Sequence, residues 1–374
     1  MKRTLVYLFL TFRLFSTVAQ NATDKECHNR YGNADITNPE QSILLETPIL
    51  FDHWLRDTWV AVGPDNTYYL TGTTAATNRN YNKEPHCWDW NDGIYLWKSK
   101  DLKNWESMGL IWSFEKDATW QKEPFTRKQF SHAISVNGDS LENKFRALWA
   151  PELHYIKSLD NWFIVACLNN SKNGKGSFIL KSTSGKPEGP YVNIDGNAEK
   201  PLFPYIDGSL FEDTDGTVYF LCLDKYIARM KKDMSGLDEN IREIQQTEYP
   251  FEPYIEGVSI FKHNGKYHLV QAIWSHVLPD GTQTYATENK TETCYSYDCI
   301  IAESDCIYGP YSYRYNAITG GGHNSFFQTP DGLWWATTFF NPRGKQALEF
   351  KQCCRPAIIP MKYSNGKFMP DKSR

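Results

Sequence analysis

The sequence predicts an all-β chain folded as a five-bladed β-propeller. Three observations point there. One hairpin pattern occurs five times, tight polar turns sit at the hairpin centres, and no helical periodicity of useful length intervenes. The five segments are Trp59–Leu70, Glu152–Val165, Ser209–Phe220, Ser259–Leu269 and Ser325–Ala336. Their turns include Asp215-Gly216, Asn264-Gly265 and Asp331-Gly332, pairs that accept the positive φ angles of short hairpin loops. A third strand follows most hairpins, most clearly in Ile94–Trp105 and Ser177–Tyr191. The turns lie roughly 50 to 95 residues apart, a spacing that suits blades around a central channel. A β-sandwich also uses many short strands, but it would not repeat one hairpin at blade-sized intervals.

Residues 1–19 read as a signal peptide: Lys2 and Arg3 lead, an apolar run follows, and small residues end at Ala19. Arg13 interrupts the apolar run and argues against a spanning helix. Residues 20–45 read as an N-terminal extension and residues 46–374 as the propeller. The expected location is extracellular, or periplasmic in a bacterium. Nine cysteines agree with an oxidising compartment, and their odd number leaves one outside any set of pairs. Cys294, Cys299 and Cys306 cluster, and Cys353 and Cys354 are adjacent; spacing alone does not fix connectivity. Asn21, Asn169 and Asn289 begin glycosylation triplets, which matter only in a eukaryotic host.

The net charge is −4 and no Lys/Arg tract occurs, so neither nucleic acid nor an anionic membrane is an expected partner. The sequence leaves the oligomeric state open. Aromatic residues make up 15% of the chain, including 13 Trp and 22 Tyr. Two readings fit: strands favour aromatics, and apolar sugar faces stack on aromatic rings. Two long polar stretches, 110–148 with Trp120 and Phe125 and 275–298, read as loops over the functional face or as covers of a blade edge.

The residues just ahead of the hairpins carry the chemistry. They include Asp57, Asp207, Glu256 and His323, with Trp149-Ala150-Pro151 before the second hairpin. In a propeller the segments leading into the innermost strands open onto one end of the channel, so residues distant in sequence converge. A single aspartate there would be an ordinary turn former; repetition in comparable places is what singles these out. Clustered carboxylates suit glycoside hydrolysis, in which one acid protonates the leaving oxygen and another carboxylate activates water or attacks carbon. Their mutual repulsion keeps one of them protonated near neutral pH.

The runs Trp149–Ile156, Ile206–Gly216, Glu256-Gly257 and Gly322-His323-Asn324-Ser325 resemble glycoside hydrolase family 43, from about Asp57 to Phe368, nearly the whole mature chain. The resemblance implies an inverting glycosidase with Asp57 as general base, Asp207 as the carboxylate that tunes the acid, and Glu256 as general acid. No cofactor is required; His323 matches a histidine that helps hold a calcium ion, largely through water. Arg355 matches an arginine near the sugar, and Trp149, Trp274 and His154 are candidate subsite residues, each with blade packing as the alternative. The expected substrate is an arabinofuranoside, xyloside or galactoside. The family's prolines after these acids are replaced by Thr58, Gly208 and Val258, which marks a divergent member. Three other readings compete with this one. Retaining invertase-type relatives need an Asn-Asp-Pro-Asn start and a Glu-Cys pair, both missing here. A five-bladed family acting on algal galactans uses a histidine acid, against which Glu256 stands. A silent carbohydrate-binding propeller would lose one of the three carboxylates.

Overall fold

Alternation along each strand decides what that strand is buried against. In the second strand of blade two, Trp162, Ile164, Ala166 and Leu168 point toward blade one, while Phe163 and Val165 point toward blade three. All six are 3% exposed or less. A strand apolar on both faces needs a partner sheet on each side, and blades in a ring supply both. Burying one such phenylalanine stabilises the fold by about 1.5–3 kcal/mol.

The computed structural model describes residues 43–75, 90–122, 125–126, 135–136, 139–140, 144–169, 175–248, 255–277, 283–285, 295–340 and 351–374. Five antiparallel sheets run in chain order, each a meander from an inner to an outer strand. Blade one comprises Arg56–Val62, Tyr68–Thr73, Gly93–Ser99 and Glu106–Ser113. Blade two comprises Leu148–Ile156, Asn161–Leu168, Gly176–Ser182 and Tyr191–Asn193, and blade three Ser209–Glu212, Val218–Cys222, Tyr226–Arg229 and Arg242–Glu243. Blade four comprises Ile255–His263, Lys266–Val277, Tyr295–Ser304 and Tyr315–Ile318, with Gln283–Tyr285 added on its second strand. Blade five comprises Phe326–Gln328, Trp334–Phe339, Pro356–Ser364 and Lys367–Pro370.

An apolar cluster fills each seam between neighbouring blades. The ring closes where Val60, Tyr68 and Leu70 of blade one meet Phe327 of blade five. The N-terminal segment ties this closure: Leu55 N–H donates to the Cys354 carbonyl at 2.9 Å and Leu50 N–H to the Pro356 carbonyl at 2.8 Å. The turns take the expected backbone. Asn264 and Gly265 have φ of 51° and 78°, the paired left-handed geometry of a type I′ hairpin.

Two stretches differ from expectation. The described parts of 275–298 are strand rather than loop, because the ladder of blade four runs through Val277 and includes Tyr295 onward. Trp120 does not face a functional surface: it packs edge-on against Phe178 and its indole donates to the Asn197 carbonyl at 2.8 Å. The side chain of Phe125 lies outside the described residues. So do residues 1–19, Asn21, Asn289 and Cys294, together with the N-terminal extension up to residue 42. Of that extension, Leu44 in the short helix Ile43–Glu46 packs into the seam between blades four and five. Cys299 is buried and Cys306 exposed, both as thiols; the sulfurs of Cys353 and Cys354 lie 3.9 Å apart. Among the described residues no helix is long and apolar enough to cross a membrane.

Candidate active site

Four of the five innermost strands begin with the same irregularity. In blade one Arg56 pairs with Thr73 but Trp59 with Thr71, so the inner strand fits one extra residue into the ladder. Trp149 and Glu152 against Cys167 and Val165 repeat this in blade two, and Glu256 and Ser259 against Ala272 and Val270 in blade four. In blade three, Ser209 pairs with Leu221 while Leu223 N–H donates to the Ile206 carbonyl at 2.9 Å. These are β-bulges, which re-aim side chains at the ends of strands. The second residue of each is left-handed: Asp57 (φ 49°), Ala150 (φ 44°), Asp207 (φ 58°) and Gly257 (φ 66°). Aspartate and glycine tolerate that backbone better than most residues.

The registers refine the sequence reading. Asp57 and Asp207 occupy one and the same place, the left-handed residue. Glu256 does not: it stands one residue earlier, where blades one and two carry Arg56 and Trp149. Blade five departs from the pattern and offers His323, which follows a cis peptide bond.

Side-chain contacts draw these groups together. Asp57 Oδ2 accepts the Thr73 hydroxyl at 2.6 Å, and Thr73 Oγ1 in turn accepts Ala150 N–H at 2.7 Å. Asp57 Oδ1 lies 3.8 Å from His323 Nδ1. Asp207 Oδ2 accepts the N–H of Gly257, the residue after Glu256, at 3.2 Å. The Cys167 sulfur lies 3.9 Å from Asp207 Oδ1. Gly257 also passes beneath the His323 ring, where a Cβ would come within 2.7 Å of Cγ. Its left-handed φ and this close approach both demand glycine. Glu256 Oε1 accepts two donors, Tyr297 Oη–H at 2.8 Å and Trp274 Nε1–H at 3.1 Å.

The electrostatics follow from this crowding. Burial raises the Asp207 carboxyl above the ordinary range, and the charges of Glu256 and Asp57 raise it further, against the Gly257 N–H. Burial opposes the charge on Arg56, but the surrounding anionic groups, Asp57 first, outweigh it and strengthen the guanidinium's hold on its proton. Arg56 also lies 5.2 Å from the centre of the Phe339 ring. His323 is pushed down by burial in spite of Asp57 and Glu256, so it stands neutral. A cluster of this kind can hold a proton on one carboxyl while another keeps its lone pairs for water.

Trp274 is buried, its indole given to Glu256 and its face stacked on Tyr297 at 4.2 Å. The Trp149 carbonyl lies 3.4 Å from the Cys167 sulfur, which ties the start of blade two to Asp207. Arg355 pairs with Asp52 at 2.7 Å and donates to the Cys353 carbonyl at 3.0 Å, beside the seam that carries Arg56 and Asp57. His154 has the packing role: its Nε2 meets Glu152 Oε2 at 2.8 Å, its ring lies on Trp59, and burial depresses its pKa to about 3. Among the described residues no three His, Cys, Asp or Glu side chains gather as a metal cage. Around His323 act two carboxylates, Asp57 and Glu256, and the Arg56 charge, too few oxygen ligands for a protein-built calcium site.

Thr73, Arg56 and Tyr297 were not singled out by sequence. A signal existed for Tyr297, which pairs with Trp274 in the ladder of blade four; reading 275–298 as an insertion hid it.

The model of "Glycosyl hydrolases family 43" matches residues 47–368. A β-D-galactofuranosidase of Aspergillus niger is 28% identical over 238 residues, covering 57% of this chain and 60% of the relative. A xylosidase/arabinosidase of Humicola insolens is 24% identical over 302 residues, covering 71% of this chain and 45% of the relative. The chain thus spans about half the length of these two relatives. A thermostable family-43 glycoside hydrolase of known structure superposes with a TM-score of 0.58 at 18% identity, covering 87% of this chain and 95% of that one. An endo-1,4-β-xylanase structure from Bacteroides thetaiotaomicron gives a TM-score of 0.55 at 22% identity, covering 87% and 96%. The family model covers most of the sequence, and the chain belongs to glycosyl hydrolases family 43.

Proposed function

We propose that this chain hydrolyses glycosidic bonds by a single displacement, with Asp57 as general base, Glu256 as general acid and Asp207 as the carboxyl that tunes the acid. The observation that carries this reading is the linkage of the three carboxylates across three blades. Gly257 N–H binds Asp207 directly after Glu256, and Asp57 and Glu256 both act on the Asp207 charge. Water loses a proton to Asp57 and attacks the anomeric carbon. The bond to the leaving oxygen breaks, and that oxygen takes the proton of Glu256. Asp207 stands between the two roles: its buried, raised carboxyl limits the negative charge near Glu256 and Asp57. The loss of any one carboxylate would favour a silent binding propeller, and all three are present.

The names of the two relatives support a furanoside or pentoside substrate: galactofuranoside, arabinofuranoside or xyloside. The apolar–small order of residues 1–19 supports export. The test is a pair of variants assayed on one sugar with good and poor leaving groups. Glu256→Ala is expected to retain most activity on a dinitrophenyl glycoside and to lose roughly 10²- to 10⁴-fold on an alkyl glycoside. Asp57→Ala is expected to lose a similar factor on both. Equal losses for Glu256→Ala on the two substrates would remove it from the role of acid.

A further inference from the structure

Two buried aromatic donors meet on one and the same oxygen of Glu256. A carboxyl oxygen accepts in the plane of its group through two lone pairs. Tyr297 Oη–H at 2.8 Å and Trp274 Nε1–H at 3.1 Å both point at Oε1. With both donors in place, Oε1 has no lone pair left on which to carry the acid proton. We propose that Tyr297 and Trp274 are positioning residues that commit the transferable proton of Glu256 to Oε2 and stabilise the carboxylate left after transfer. This rests on Glu256 being the general acid.

The two donors are built to stay where they are. Trp274 and Tyr297 are directly opposite in the ladder of blade four, and Glu256 pairs with Ala272, two residues before Trp274 on the same strand. Their rings stack at 4.2 Å with 26° between planes, and Ala272 and Phe339 complete the cluster around them. Tyr297 is 2% exposed and Trp274 8%. An indole can only donate, so Trp274 cannot exchange roles when Glu256 changes charge. Burial, reinforced by the charge of Glu256, pushes the phenol well above its ordinary pKa, so Tyr297 remains a donor across the working pH range. Hydrogen bonds to a charged acceptor are roughly twice as strong as those between neutral groups. Both contacts therefore tighten as the proton leaves Oε2, the electron pair of the breaking bond moves to the leaving oxygen, and Glu256 becomes a carboxylate. Their help counts most for leaving groups that need the proton.

The experiment compares Tyr297→Phe, Trp274→Phe and Glu256→Ala over a series of aryl and alkyl glycosides of one sugar, with kcat and KM read separately. For Tyr297→Phe, kcat on the dinitrophenyl glycoside is expected to stay within about twofold, and kcat on the poorest leaving group to fall roughly 10- to 100-fold, a part of the whole acid contribution. Trp274→Phe is expected to follow the same slope with a smaller drop. Retained activity on the dinitrophenyl substrate also shows that the variant is folded. A uniform fall across the series, or a change confined to KM, would overturn the positioning role while a graded Glu256→Ala response left the acid in place. A flat Glu256→Ala response would overturn both.

Discussion

Asp57 and Glu256 sit in matching bulges of blades one and four, yet they are held in contrasting ways. Asp57 is the left-handed residue itself, fixed by its own backbone and by the small hydroxyl of Thr73. Glu256 is the residue before, in extended backbone register with Arg56 and Trp149, and its longer side chain is held by two large buried rings. The comparison teaches that one bulge can aim carboxylates in two directions, depending on which of its two residues is acidic. A short acid on the rigid position suits a group that must face one water. A longer acid on the adjacent position, steadied by rings, suits a group that hands a proton to a bond of variable chemistry.

Three substitutions test this contrast. The largest effect is expected from Asp207→Asn, which keeps the shape and removes the buried titration. Activity should fall roughly 10- to 100-fold. Stability should move the other way. The folded carboxyl of Asp207 is raised above its unfolded value, so wild-type stability falls as pH rises from the ordinary carboxylate range through the folded pKa. The variant lacks that fall. Its melting temperature should match wild type near pH 4 and exceed it at pH 8, and equal melting temperatures at both pH values would mean that Asp207 is not strained by ionisation.

Thr73→Val comes next. It deletes the donor to Asp57 Oδ2 and the acceptor of Ala150 N–H while keeping the volume. A loss of about tenfold in kcat is expected, the same for good and poor leaving groups, because the base is needed for both. A loss confined to poor leaving groups would move Thr73 to the acid side. Ala150→Gly has the smallest effect. Ala150 occupies the place of Asp57 with φ 44°, a backbone that costs about 1 kcal/mol or more in any residue with a Cβ. Glycine removes that strain and loses a methyl group and some chain entropy. Stability in urea should hold within about 0.5 kcal/mol or rise, and a larger loss would show that the methyl group rather than the bulge shapes this strand start.

Much of the fold was legible because hairpin turns and double-sided apolar strands are local signals. Asn264-Gly265 marked its turn, and the run from Trp162 to Leu168 marked a strand with a blade on either side. Asp57, Asp207, Glu256 and His323 were legible as a convergent set because propeller geometry brings strand starts together. The one-residue offset of Glu256 was not, since an inserted residue leaves no trace in alternation; only the register with Ala272 exposes it. Arg56 was hidden for another reason. It precedes Asp57 and reads as an ordinary surface arginine, while the fold buries its charge among the carboxylates. The long ladder of blade four, which delivers Tyr297, was masked by the polar residues around it.

The central claim is that Asp57 activates water directly while Glu256 supplies the proton, with no covalent intermediate. Proton NMR of the first-formed sugar, recorded before mutarotation, tests it on an activated aryl furanoside or xyloside. The expected first product is the anomer of opposite configuration to the substrate. A first product of retained configuration would contradict it.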